Sequence, residues 1–254
     1  MIRTESLFPG AGTLKPANAP MKPIKPLSIL SYLLLPAGLL MVTMLAAAPQ
    51  SEQDSERARH GLQVLYDFAL SAGPVVRDRS GAGKPVNLTI AGNNSVRRAS
   101  GSLEIRKKTL VQSGKEASRL VESIRRSGAL SIEAWVRPAN KSLDGPVRIV
   151  TLSRDSTNRN FTLGQKKDRY VLRLRTTRTS SNGVPSLDSS NGSLTPALTH
   201  IVYTRGRDGL ARIYINAKKN IEQRIQGDLS NWNSSYRLAL GDELSGGRPW
   251  LGTY

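Results

Sequence analysis

The residues best suited to chemistry in this sequence are arginines that alternate with aromatic side chains. In a β-strand successive side chains point to opposite faces. Arg173 and Arg175 then share a face with Val171, Arg137 with Trp135 and Glu133, Arg205 with Ile201 and Tyr203, and Arg212 with Tyr214. A guanidinium group grips a carboxylate or sulfate through two parallel N–H bonds. Aromatic rings in the same rows can stack on pyranose faces. Trp135, Arg137, Arg173, Arg175, Tyr203, Arg205, Arg212 and Tyr214 are therefore the candidate ligand-binding residues for an acidic sugar. The competing reading is a solvated outer face, with the rings packed under loops and the arginine stems covering apolar surface.

Oxygen donors form a second set. Asp155, Asn158 and Asn160 fall in one loop, and Asp242 and Glu243 in another. Ca²⁺ takes such ligands, and these five are its candidate site; Asp and Asn also close turns by bonding their own backbone, which is the plainer assignment. Tests for catalysis mostly fail. Glycosidases need two carboxylates flanking one bond, but Asp242 and Glu243 are adjacent and would point to opposite faces, while Glu104 and Glu133 stand alone. His60 lies in a charged stretch, and His200 shares its face with Leu198 and Val202, which reads as a satisfied core histidine. Gly83-Lys84 is followed by Pro85 and Gly114-Lys115 by Glu116, so no phosphate loop is present, and neither G-x-S-x-G nor H-E-x-x-H occurs. The absence of cysteine excludes disulfides, a thiol nucleophile and thiolate metal sites.

These residues must be held by strands. Two-residue alternation runs through 61–69, 86–91, 129–138, 147–153, 160–165, 170–177, 198–205, 210–216 and 236–241. In the first of these, Leu62, Val64, Tyr66 and Phe68 share a face. Turn signals separate the runs at 78–83, 140–146, 178–196 and 206–209. One stretch, 115–128, has helical spacing instead, with Ala117, Leu120, Val121 and Ile124 on one face. Many strands, one short helix and no βα alternation predict an all-β, antiparallel two-sheet jelly-roll sandwich. At 38% hydrophobic residues the body of the chain can bury a core.

Residues 27–48 are different: 22 residues without a charge, after Lys22 and Lys25. As a helix they reach roughly 33 Å, enough for a bilayer core. The segment predicts a transmembrane anchor or a signal sequence, with the lysine side cytoplasmic and everything after residue 48 exported. Ala46 and Ala48 supply a small-residue cleavage pattern, whereas Pro49 disfavours a cut there. A buried pair of helices in a soluble protein is the competing assignment. The expected organisation is a disordered 1–26, the apolar helix 27–48, a linker 49–60 and the sandwich 61–254, with Met1 or Met21 as the start. Residues 49–254 hold 33 Lys+Arg against 18 Asp+Glu, a net +15 that attracts polyanions. Export places the domain away from nucleic acid, leaving acidic glycan as the favoured polyanion.

The runs GLQVLYDF with DRSG, GALSIEAWVRP, IVTLSRD, NFTLGQ, THIVYTR, ARIYIN, YRLALGDE and RPWLG resemble the laminin G-like jelly roll of the concanavalin A-like lectin/glucanase superfamily over residues 61–254. SIEAWVRP and the pair HIVYTR and ARIYIN are the most specific parts. The resemblance implies a two-sheet sandwich with a curved sheet and long loops at one end, used for glycan or protein recognition. After RPWLG the family continues into a final strand, so a chain ending at Tyr254 is expected to lack it and to leave GLQVLYDF with an unpaired edge. Three functions remain open: an extracytoplasmic module binding carbohydrate, a protein-binding adhesion module, and a glucanase-like hydrolase.

Overall fold

The computed structural model describes residues 1–4, 60–70, 72–114 and 117–254. The chain divides into two units, one of Met1–Leu7 with Ala58–Tyr254 and one of Phe8–Arg57, and every described residue belongs to the first. The apolar segment 27–48, residues 5–26 and nearly all of the linker 49–60 lie outside the described residues. Among the described residues no helix is long and apolar enough to cross a membrane.

The described unit is an antiparallel sandwich of two sheets, its strands numbered here in chain order. The first sheet runs β15 (Lys218–Arg224), β14 (Leu210–Ile215), β13 (Thr199–Arg205), β8 (Leu130–Pro138), β17 (Gly252–Thr253), β6 (Ser102–Ile105) and β5 (Val96–Ala99). On the edge of β8 that β17 uses, further along, sits β1 (Ile2–Arg3), which in turn pairs with β2 (Leu62–Val64). The second sheet runs β12 (Leu187–Asp188), β11 (Arg169–Leu174), β10 (Arg159–Lys166), β9 (Val147–Ser153), β16 (Arg237–Leu240), β7 (Val111–Ser113), β4 (Leu88–Ile90) and β3 (Val75–Val76). Between the sheets, alternate residues such as Ile132, Val136, Ile201 and Tyr203 meet Leu152, Phe161, Leu163 and Leu172 in one core. Each large aliphatic side chain withdrawn from water there contributes about 1.5–3 kcal/mol.

The helix α1 (Ser118–Ser127) buries Leu120, Val121 and Ile124, as its spacing requires. Gly128 ends it at φ 66°, a left-handed conformation that a side chain would strain, and returns its N–H to the Ile124 carbonyl. Near the chain end, Trp250 is fully buried and donates its indole N–H to Gln165 Oε1 at 3.1 Å. Gly252 lies so near this ring that a Cβ would stand 2.6 Å from it, so glycine is needed to bring β17 alongside β8.

The DRSG motif explains where β2 stops. Asp78 has a fully buried side chain whose carboxylate accepts the amides of Leu65 (3.1 Å), Ser80 (3.0 Å) and Val86 (2.9 Å). Leu65 therefore spends its N–H on the turn rather than on a ladder. The predicted strand over 61–69 shrinks to Leu62–Val64, and Phe68 adopts φ 52°. Asp78→Ala should cost about 3 kcal/mol in urea unfolding, because three amides lose a charged acceptor. A loss below about 0.5 kcal/mol would show that water replaces the carboxylate freely.

Other expectations are revised. Ile2–Arg3, placed in a disordered N-terminus by the sequence, forms a strand. That strand pairs with β2, so the GLQVLYDF edge expected to be bare carries a partner at Leu62 and Val64. The chain's last residues form β17 between β6 and β8. The Ser/Asn/Gly-rich stretch 178–196 contains β12, and β15, β5, β6 and β7 arise where no alternation was read.

Candidate functional site

On the first sheet, the outward face of β8 carries Glu133, Trp135 and Arg137. Across from Trp135 lies His200, and from Glu133 lies Val202. The Trp135 and His200 rings stack at 4.5 Å and 17°, and His200 Nε2 is 3.0 Å from Glu133 Oε1. His200 is thus satisfied, as expected, but on the outer face rather than in the core. Trp135 is 55% exposed and Arg137 is exposed. On β14, Tyr214 is half-buried beside Val202, and Arg212 directs its Nε to Glu222 at 2.6 Å, which Lys219 also reaches at 3.3 Å.

Tyr203 and Arg205 leave this row. Their face of β13 is the interior one, and both are buried. Burial pushes the Tyr203 hydroxyl well above its usual range. Arg205 donates to the carbonyls of Gly128 (3.2 Å), Gly206 (3.3 Å), Ile225 and Gly227, which ties the end of α1 to two turns. It is a structural clamp. The candidate cationic row is therefore divided among the outer face, the core and the second sheet.

The second sheet holds Arg173 and Arg175 and assembles a cluster the sequence did not suggest. Thr162 pairs with Thr151 on one side and Arg173 on the other, forming an outward row between the core rows Leu152–Phe161–Leu174 and Val150–Leu163–Leu172. Two register shifts add arginines to this face. Ile149 is an extra residue in β9, so Arg148 comes opposite Gly164; Asn160 is an extra residue in β10, so Arg159 comes opposite Ser153. Such bulges turn residues three apart to the same side. Arg148 then joins Thr151, and Arg159 donates to Thr162 Oγ1 at 2.9 Å.

The turn after β16 closes over this row. Glu243, fully buried, accepts from Arg148 Nε at 2.8 Å and from Ser153 Oγ, and lies 3.8 Å from Arg159 Nη1. Asp242 Oδ1 accepts the amides of Glu243 and Arg248, each at 2.7 Å. Burial, then the Arg148 charge, lowers the Arg159 guanidinium to about 9. Burial also lowers Arg148, though Glu243 opposes it, and lowers Arg173, where Arg148 and Arg248 add repulsion. The buried Nε atoms of Arg159 and Arg173 have no hydrogen-bond partner among the described residues. Arg173 is half-buried with Nη1 on Asn182 Oδ1 at 2.9 Å, and Arg248 is exposed. The two guanidinium groups mark the accessible end of a crowded cationic cluster. Arg175, beyond the end of β11, is half-buried and lies outside it.

The oxygen-donor residues do not converge. In the β9–β10 turn, the Asp155 carboxylate accepts from Thr157 N, Thr157 Oγ1, Asn158 N and Arg154 Nε, all at 2.9 Å. Partial burial raises its pKa, but these bonds outweigh that and hold it well below the usual carboxylate range. Asn160 exchanges two bonds with the Asn233 main chain, both 2.9 Å. Asp242 and Glu243 belong to the arginine cluster. No group of three or more His, Asp or Glu residues disposed to hold a metal ion occurs among the described residues. The signal for Arg148 and Arg159 was present in the sequence as single charges bounding apolar strand runs.

A family model described as the concanavalin A-like lectin/glucanases superfamily, of laminin G type, matches residues 112–254. Among solved structures, the binding domain of botulinum neurotoxin serotype C1 aligns with a TM-score of 0.53 and 15% identity over 75% of this chain and 46% of that one. A structure of botulinum neurotoxin type C, whose cell entry is described as dependent upon interaction with two ganglioside molecules, aligns with a TM-score of 0.52 and 15% identity over 75% and 47%. The serotype D/C VPI 5993 binding domain gives 0.51 and 16% over 73% and 45%. At such identities the likeness is one of fold, and the chain spans about half the length of each of these structures. No curated protein matches the sequence.

Proposed function

The chain belongs to the concanavalin A-like lectin/glucanases superfamily, and from that premise we propose that it is a non-catalytic recognition module for carbohydrate, selective for sugars bearing carboxylate or sulfate groups. The observation that carries this reading is the guanidinium cluster on the second sheet. Arg173 and Arg248 present its open end, while Arg148 and Arg159 add positive charge from behind. An anion held there relieves repulsion that Glu243 and Asp242 only partly balance, and the planar fork of a guanidinium suits a carboxylate or sulfate. The non-catalytic part of the reading rests on the carboxylates: Glu133 is engaged with His200 on one sheet, and Glu243 is buried against Arg148 on the other. Acid and nucleophile must instead flank a single glycosidic bond. The interaction of botulinum neurotoxin type C, of similar fold, with ganglioside molecules is consistent with this assignment.

The same reading exports the sandwich and tethers it to a membrane through residues 27–48, on the strength of their uncharged length and of Lys22 and Lys25. A single crossing there would hold Met1–Arg3 on the opposite side from the sandwich. Strand β1 and a single membrane crossing at 27–48 thus exclude each other.

The test is retention of the full chain on heparin with a salt gradient, together with an array of neutral and acidic glycans. Arg173→Ser/Arg248→Ser should bind about 10-fold more weakly, since charge-assisted hydrogen bonds are lost. Arg137→Ser/Arg106→Ser removes the same charge from the side of the first sheet, where Arg137 on β8 and Arg106, just after β6, are both exposed, and should change retention little. Equal losses would mean that net charge alone governs binding, and an array with no bound glycan would sink the carbohydrate reading.

A further inference from the structure

Strand β2 ends early because the Leu65 N–H goes to Asp78, and the chain then swings away through Tyr66 to Phe68, whose φ is 52°. Space is left behind it. Along the edge of β8 that faces away from β13, β1 pairs with Ser131 and Ile132, and β17 with Arg137 and Pro138. Ala134 and Trp135 lie between them. There a cavity of about 360 Å³ runs into the sandwich as far as Ile149 and Val150 of β9 and Leu238 and Leu240 of β16. Tyr66, Phe68 and Tyr254 also wall it, and the exposed Trp135 and Asp67 mark its mouth.

The polar groups of this wall are already spent. Tyr66 Oη donates to the Val86 carbonyl at 2.6 Å and Tyr254 Oη to the Ile149 carbonyl at 2.5 Å. Asp67 pairs with Arg79 at 2.9 Å, Glu133 takes His200 at 3.0 Å, and the Met1 amine is committed to the Glu133 carbonyl at 2.7 Å. Among the described residues, none that lines the cavity has a buried side-chain nitrogen or oxygen without a partner. A buried water needs two to four polar partners, so the inner wall suits an apolar occupant instead. Well-packed interiors leave few voids larger than a water molecule, and the cost of an empty one grows with its volume. An apolar cavity of about 150 Å³ already takes up benzene. This one has more than twice that space, within the range of small-molecule sites.

Charge and shape narrow the choice of occupant. Asp67 and Glu133 line the cavity, whereas among the described residues no Lys, Arg or His side chain does, so an anionic group at the mouth would meet two carboxylates. Four rings, those of Tyr66, Phe68, Trp135 and Tyr254, offer edge-to-face and offset contacts to another ring. The Trp135 ring is held by the His200 stack at 4.5 Å and forms a fixed lip. We propose that this cavity is a binding site for a small, flat, neutral aromatic molecule of about two fused rings. A rigid ligand loses little freedom on binding, while an alkyl chain of equal volume must be ordered bond by bond. The site shares no residue with the arginine cluster and does not depend on the carbohydrate reading.

The test adds 2-naphthol at neutral pH to the full chain carrying ¹³C-labelled Ile, Leu and Val methyl groups, with 2-naphthoate and n-decanol as comparisons. 2-Naphthol should shift the methyl signals of Ile149, Val150 and Leu238 and raise the thermal midpoint. 2-Naphthoate should bind about 10-fold more weakly, because its charge meets Asp67 and Glu133, and n-decanol should also bind more weakly. Ala134→Leu and Val150→Phe fill the cavity from opposite sheets; each should weaken 2-naphthol binding about 10-fold by steric exclusion and keep the thermal midpoint at or above that of the parent. Shifts confined to Trp135 would mean surface stacking and overturn the proposal. Equal binding of 2-naphthoate, tighter binding of n-decanol or unchanged binding by the filled variants would overturn it as well. So would a midpoint lowered by both substitutions, which would show that the space is not there to be filled.

Discussion

Glu243→Ala is expected to lower the unfolding free energy by about 3–5 kcal/mol, the cost typical of breaking a buried ion pair from one side. Glu243 is fully buried with Arg148 Nε at 2.8 Å and Arg159 Nη1 at 3.8 Å. Its removal leaves two guanidinium groups in low dielectric beside each other, with Ser153 Oγ also deprived of its acceptor. Arg148→Met/Glu243→Leu should cost less than Glu243→Ala, because well-packed apolar residues can replace a buried pair at little net loss. Urea unfolding of the three proteins decides it. A Glu243→Ala loss under about 1 kcal/mol would mean that the cluster is hydrated and its charges screened.

Alkali should unfold the protein steeply. Burial raises the hydroxyls of Tyr66, Tyr170, Tyr203 and Tyr254 above their usual value, Tyr170 to about 12. In the unfolded chain they ionise near 10. Above that pH the unfolded state releases protons the folded state retains, so stability is full below pH 10 and falls as pH rises towards the folded pKa values. The loss approaches about 1.4 kcal/mol per tyrosine per pH unit, or roughly 2 kcal/mol by pH 12 for Tyr170. Arg159 works against this: with its folded pKa near 9, it releases a proton the unfolded chain keeps and adds stability as pH rises above 9. Arg148, Arg173 and Arg205, which burial also lowers, act in the same direction as Arg159. Tyr203→Phe removes a hydroxyl that has no hydrogen-bond partner among the described residues, so it should leave neutral stability nearly unchanged and move the alkaline midpoint upward. A thermal midpoint constant from pH 9 to 12 would contradict the burial of these hydroxyls.

The arginine cluster shows how a site can be hidden from a periodic reading. Arg148 and Thr151 are three apart, as are Arg159 and Thr162, and strict alternation puts each pair on opposite faces. The extra residues Ile149 and Asn160 reverse that parity, and nothing local in VRIVTLS or RNFTLGQ announces a bulge. Arg205 is the opposite case. Alternation correctly placed it with Ile201 and Tyr203, and the burial of those neighbours makes that face the core, where four carbonyls satisfy the charge.

What the sequence determined by itself is the fold class and its main strands. Runs such as 147–153, 198–205 and 210–216 are long enough for a period of two to be visible, and the spacing of Leu120, Val121 and Ile124 is visible as a helix. These are local patterns of apolar burial, and burial is what selects one face of an element. The tertiary structure alone decided the rest: the two-residue strands β1, β3, β12 and β17, too short to carry any period, and the meeting of Arg148, Arg159 and Glu243 from β9, β10 and the turn after β16. The bonds of Glu243 to Arg148 and Ser153 join residues 90 or more apart in the chain, and the short strands depend on register, which is fixed by how whole sheets pack rather than by the residues on either side.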